Sequence, residues 1–167
     1  MTADRRLLSI DSRPPTADGE EAAVVYTIGY SRKPLATFIG QLREAGVDAV
    51  IDVRLRNTSH LAGYTKRDDL AFLLQEGFGI AYEHHPELAP TPEIHGAYRE
   101  DGDWAVYEAD FLPLLAERGA EEIGREILAR HRAPCLLCFE PTAEHCHRRL
   151  VAEHWATHIS ALTIVHL

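Results

Sequence analysis

Five short apolar runs, separated by stretches with helical spacing, constrain this chain more than any other feature. They cover residues 24–28, 49–53, 80–82, 135–139 and 161–165. Each has the length and the β-branched, aromatic or apolar character of a strand, and turn residues bound most of them. Between the first two, Leu35, Phe38, Ile39 and Leu42 recur as one face of a helix. Ser31 is placed to cap that helix, Pro34 suits its first turn and Gly46 its end. Leu70, Leu73 and Leu74 mark a second helix ending near Gly77. Residues 107–118 and 120–131 read as helical with a break at Gly119, and 148–158 as the last helix.

Strands alternating with helices pair in parallel through right-handed crossovers. Runs that are apolar throughout belong to a sheet covered on both faces. The expectation is therefore an α/β single domain: a mostly parallel sheet of four to five strands with helices on both faces, in a Rossmann-like three-layer arrangement. A length of 167 residues fits one such domain with a full core. The domain is expected over 22–167, preceded by a flexible arm over 1–21 in which 7–10 has an edge strand as its alternative. The stretch 84–104 is rich in proline and charge and reads as a long surface loop with some local structure, of the kind that often covers a site.

The formal net charge is −9, from 17 Lys and Arg against 26 Asp and Glu. That balance opposes long contacts with duplex nucleic acid or an anionic membrane surface. No apolar run approaches the roughly 20 residues that span a bilayer, and no leader pattern opens the chain. Three cysteines form no spaced disulfide framework. These features lead to the expectation of a reduced, cytoplasmic protein with no membrane partner.

Ligands of open parallel sheets bind beyond the carboxyl ends of the strands. That rule selects Tyr30 and Ser31, Asp52 and Arg54, Glu83 and His84, and the stretch from Glu140 to Arg148. All three cysteines lie in 135–149, beside Glu140, Glu144, His145, His147, Arg148 and Arg149. Three chemistries suit these residues. In the first, Asp52 and Glu140 supply an acid and a base, as in glycosidic cleavage, while Arg54 and Arg148 grip an anion. In the second, Cys138 or Cys146 joins His147 and His60 around a metal. Cys135 and Cys138 cannot share it, because residues three apart on a strand point to opposite faces. In the third, Cys146, near a helix start and two arginines, is a thiolate nucleophile. Cys135 and Cys138 are expected as core. A basic run of Arg54, Arg56, Lys66 and Arg67 surrounds Ser59, His60 and Tyr64 and suits a phosphate, and Tyr82 and Tyr98 can stack on a base.

Several motifs occur in a fixed order: Thr27-Ile28-Gly29-Tyr30-Ser31, Ile51-Asp52-Val53-Arg54, Ser59, Gly79-Ile80-Ala81-Tyr82, and Leu137-Cys138-Phe139-Glu140 followed by Cys146-His147-Arg148. Together they resemble the domain-of-unknown-function 488 family, from about Val24 to the C-terminus. Asn57 stands where many members have Pro, and Leu88-Ala89-Pro90 replaces a common Leu-Gly-Gly. The resemblance implies the fold, the site location and chemistry on a nucleobase or nucleic acid, such as base excision or modified-base processing. The resulting expectation is an enzyme acting on a nucleobase or nucleotide, with a nucleotide or single-stranded nucleic acid as partner. Its catalytic residues would be Asp52, Glu140, Cys146 and His147; Tyr30, Ser31, Arg54, Ser59, His60 and Arg148 would bind substrate. No cofactor is expected, with a metal as the lesser alternative. The competing expectation is a non-catalytic nucleic-acid- or anion-binding module.

Overall fold

The computed structural model describes residues 22–167, so the expected arm over 1–21 and its edge-strand alternative lie outside the described residues. Five strands form one sheet: β1 (Ala23–Gly29), β2 (Ala49–Asp52), β3 (Ala81–His84), β4 (Pro134–Cys138) and β5 (Leu162–His166). Every pairing is parallel, and the order across the sheet is β3-β2-β4-β1-β5. Six helices connect them: α1 (Leu35–Glu44), α2 (Arg67–Phe72), α3 (Pro92–Asp101), α4 (Trp104–Glu117), α5 (Ala120–Arg130) and α6 (His147–His158). This is the expected α/β single domain with a covered parallel sheet.

Strand parity sorts the core into two layers. Ile28, Val50, Cys135 and Leu137 pack against Phe38 and Leu42 of α1 and Leu70 of α2. The alternate residues Val25, Ile51, Val53 and Leu136 pack against Phe111 and Leu115 of α4, Ile127 of α5, and Val151 and Trp155 of α6. Burial on both sides explains why no strand alternates apolar with polar residues.

The connections locate a crevice. The chain leaves β2 for β3, outward on one side, and leaves β4 for β5, outward on the other. Since β2 and β4 are neighbours, the connections that follow them leave in opposite directions, and this switch point is the usual position of the ligand crevice in open α/β sheets.

Local differences from the sequence expectations have identifiable causes. Helix α1 starts at Leu35 with Pro34 in the cap position and no side-chain cap. Ser31 is too far upstream to cap it, and its backbone N–H donates instead to the Phe139 carbonyl at 3.1 Å. Strand β3 runs two residues further than expected. The stretch 84–104 is mostly ordered structure, a 3₁₀ turn at Pro86–Leu88 and helix α3. Thr91 caps α3 by accepting from the Ile94 N–H, Pro92 takes its first turn, and Gly102 ends it in the left-handed region.

Candidate functional site

The Asp-x-Arg element follows β2. Asp52 has the parity of Val50 and therefore faces the layer of α1 and α2. It is fully buried, and its carboxylate is saturated. Oδ1 accepts from the Arg54 backbone N–H at 3.1 Å and from Arg54 Nε at 2.8 Å; Oδ2 accepts from Arg54 Nη2 at 2.6 Å, Asn57 Nδ2 at 3.0 Å and the Tyr82 hydroxyl at 2.6 Å. Arg54 is also spent: it donates to Thr65 Oγ1 and to the Thr65 carbonyl, and its guanidinium lies 5.0 Å from the centre of the Tyr30 ring. Burial opposes ionisation of Asp52. The hydrogen bonds and charge of Arg54, with Tyr82 and Asn57, outweigh it and hold the pKa below 3.8. Burial and the Asp52 charge push the Tyr82 phenol far up. The network closes the loop after β2 onto β3 and the 3₁₀ turn His60–Thr65. Asn57, Thr65 and Tyr82 are members that sequence reasoning did not join to it.

Arg148 anchors the other half. It lies in the first turn of α6, 1% exposed, and donates to the Glu140 carbonyl at 2.7 Å and to Thr27 Oγ1 at 3.3 Å. Among the described residues no carboxylate pairs with it. Gly29 makes this packing fit, because a Cβ there would lie 1.7 Å from the Glu140 carbonyl oxygen. The Tyr30 and Ser31 N–H groups donate to the Cys138 and Phe139 carbonyls, which ties the ends of β1 and β4 together.

The remaining reactive groups meet at the crevice. Cys138, the last residue of β4, shares the parity of Leu136 and faces α6, whereas Cys135 faces α1. One ligand atom each of Cys138, Cys146 and His147 lies within 4.8 Å of the others. His147 Nε2 is 2.8 Å from the Val53 carbonyl, across the gap from β4 to β2. A carbonyl only accepts, so Nε2 donates to it, while the Cys138 sulfur lies 3.4 Å from Nδ1 and 3.8 Å from Nε2, over the face of the ring. The neighbouring Cys146 thiol lowers the Cys138 pKa; burial opposes this, while the Arg148 charge and the Glu140 and Phe139 N–H groups assist. The nearby Cys138 thiol, with burial, pushes Cys146 well up. Cys138 is buried, as the sequence reading expected, and Cys146, read there as the reactive thiol, is buried beside it. Aromatic rings wall this corner: Phe111 meets His147 edge-on at 6.0 Å, and Trp104 lies 5.2 Å from His145.

The other expected residues lie around this centre. Tyr30 is partly buried, edge-on to Phe139 and Tyr64. Ser59 caps the 3₁₀ turn by accepting from the Leu61 N–H, and His60 is exposed at its start. Glu140 is exposed on the turn after β4, and no hydrogen bond or ion pair joins it to Asp52 among the described residues. The structure thus gathers Cys138, Cys146 and His147 on one face of the sheet end. It holds Asp52 and Arg54 on the other and does not pair Asp52 with Glu140.

One comparison with known families matches: the family described as Domain of unknown function DUF488 aligns with residues 34–155. The chain belongs to this family. No curated protein and no solved structure matches it. Membership in the DUF488 family covers most of the chain, including β2 to β4 and most of α6, and so both halves of the crevice. No helix among the described residues is long and apolar enough to cross a membrane.

Proposed function

We propose that this protein is an enzyme acting on a nucleobase or nucleotide, with its reactive centre at Cys138, Cys146 and His147 in the crevice between β2 and β4. One observation carries the reading: two thiols and an oriented imidazole converge at the carboxyl end of the central strand, where such sheets bind ligands. Asp52, Arg54 and Arg148 hold the loops that form the crevice and are positioning residues. Glu140, exposed on the adjoining turn, is a substrate contact at most. The Asp52–Glu140 acid and base pair is therefore not retained.

Two features favour an anionic, aromatic substrate. Arg148, which pairs with no carboxylate among the described residues, places a buried positive charge beside the thiols. Phe139, half exposed and edge-on to Tyr30 at 5.4 Å, offers a ring for a base at the rim. The net charge of −9 favours a small nucleotide or a single-stranded segment over a duplex.

The test is a panel of nucleosides, nucleotides and single-stranded oligonucleotides with modified bases, assayed by mass spectrometry for altered or released base. Turnover is expected for the wild type and is lost in Cys138→Ser and His147→Asn at unchanged far-ultraviolet circular dichroism. Turnover that survives both substitutions contradicts the reactive centre, and no turnover across the panel contradicts the substrate class.

A further inference from the structure

The same corner has the geometry of a metal site. We propose that Cys138, Cys146 and His147 bind one thiophilic divalent cation, zinc in the first place, through two sulfurs and His147 Nδ1, with a fourth position left for water or substrate. This rests on the reading of the crevice as the reactive centre and adds what occupies it.

Distances decide whether the side chains must move. Zinc binds sulfur at about 2.3 Å and imidazole nitrogen at about 2.0 Å in a tetrahedron, so two ligands of one ion lie roughly 3.5–3.8 Å apart. Cys138 Sγ lies 3.4 Å from His147 Nδ1 and 3.8 Å from Nε2, over the ring, and one ligand atom of each of the three residues lies within 4.8 Å of the others. The three side chains are close enough to share an ion, and closing on one takes a turn of the imidazole that brings its Nδ1 lone pair round to the sulfurs.

The second observation is the outer support of the histidine. Ligating imidazoles characteristically donate their other N–H to a carbonyl or carboxylate, which fixes both tautomer and ring. His147 does this with the Val53 carbonyl at 2.8 Å, leaving Nδ1 as the ligand atom. The ligands also come from a rigid frame: the end of β4, the cap position of α6 and its first helical residue. Two sulfurs and one nitrogen select zinc over magnesium or calcium, which prefer oxygen. Cys135 takes no part, being buried on the opposite face of the sheet.

Ion and thiols also balance in charge. A divalent cation with two thiolates is neutral, and binding releases the thiol protons to solvent. Arg148 then leaves one positive charge beside the site, which suits a hydroxide, phosphate or base oxygen in the fourth position.

The experiment uses the full chain without a histidine tag, stripped with chelator and titrated with Co²⁺ and then Zn²⁺. One equivalent of Co²⁺ is expected to give a sulfur-to-cobalt charge-transfer band and tetrahedral visible bands, both bleached by one equivalent of Zn²⁺. Cys135→Ala keeps the bands, whereas Cys138→Ser, Cys146→Ser and His147→Asn each weaken or remove them at wild-type circular dichroism. Should a cysteine variant fail to fold, His147→Asn decides. Absence of a charge-transfer band in the wild type, or its persistence in the Cys138→Ser, Cys146→Ser double variant, overturns the proposal. If the bands are absent yet turnover still requires Cys138, the metal falls and the reactive centre stands. If the bands appear but the cysteine variants keep turnover, the ion is structural and the reactive centre falls.

Discussion

Arg54→Ala should behave as a folding mutation rather than a binding mutation. Arg54 is 5% exposed and holds a fully buried Asp52 by a two-pronged contact of 2.8 and 2.6 Å. Removing it strips from that carboxylate its only cation among the described residues, and two donors from Thr65. Removing one partner of a buried ion pair costs about 3–5 kcal/mol. For a chain of this size that lowers the melting temperature by roughly 6–20 °C. The pH dependence has a definite sign. Asp52 has a folded pKa depressed below 3.8, so its stabilisation is complete above that value and is lost as pH falls through the folded pKa. In Arg54→Ala burial is left largely unopposed and raises the Asp52 pKa, so the gap from wild type should be full at neutral pH and narrow as acidification protonates the unpaired carboxylate. Urea titrations followed by tryptophan fluorescence measure it, since Trp155 is buried in the core. A cost below about 0.5 kcal/mol, within the range of ordinary surface substitutions, refutes the assignment. A gap that does not change on acidification refutes it too.

Gly29→Ala should destabilise by about 1–3 kcal/mol, because the new methyl meets the Glu140 carbonyl at 1.7 Å and the turn after β4 must shift; thermal unfolding checks this, and a near-neutral result contradicts the close packing of β1 under that turn. Arg148→Met keeps the volume and loses the bonds to Glu140 and Thr27, so it should cost about 1–3 kcal/mol and raise amide exchange of residues 139–146; exchange confined to other segments would contradict the bracing role. Glu140→Gln should leave stability within about 0.5 kcal/mol of wild type, since the side chain is exposed.

The fold was legible because the strand runs are apolar on both faces and the helical segments between them keep their period. What failed locally was weighting: Thr91, Pro92 and Gly102 already spelled a capped helix where proline content suggested a loop. The site was legible in part. The carboxyl-end rule selected Asp52, Arg54 and the 140–148 stretch, which follow β2 and β4, and strand parity separated Cys135 from Cys138. Carried further, parity also places Asp52 with Val50 and Cys138 with Leu136, on opposite faces of the sheet end, which argues against one site built from both. The contacts of Asn57, Thr65 and Tyr82 with the Asp52–Arg54 pair depend on strand order, and no local pattern encodes that order. The pairing of Cys138 with His147 needs α6 to return over the face that Cys138 occupies, which becomes visible only once β4 is known to sit between β2 and β1.

The most direct test of the account compares turnover of Cys138→Ser and Glu140→Gln on the substrate that the wild type converts. The account predicts that Cys138→Ser abolishes turnover while remaining folded, and that Glu140→Gln retains most of it with at most a raised KM. Turnover preserved in Cys138→Ser and abolished in Glu140→Gln would return the chemistry to the carboxylates and contradict the account.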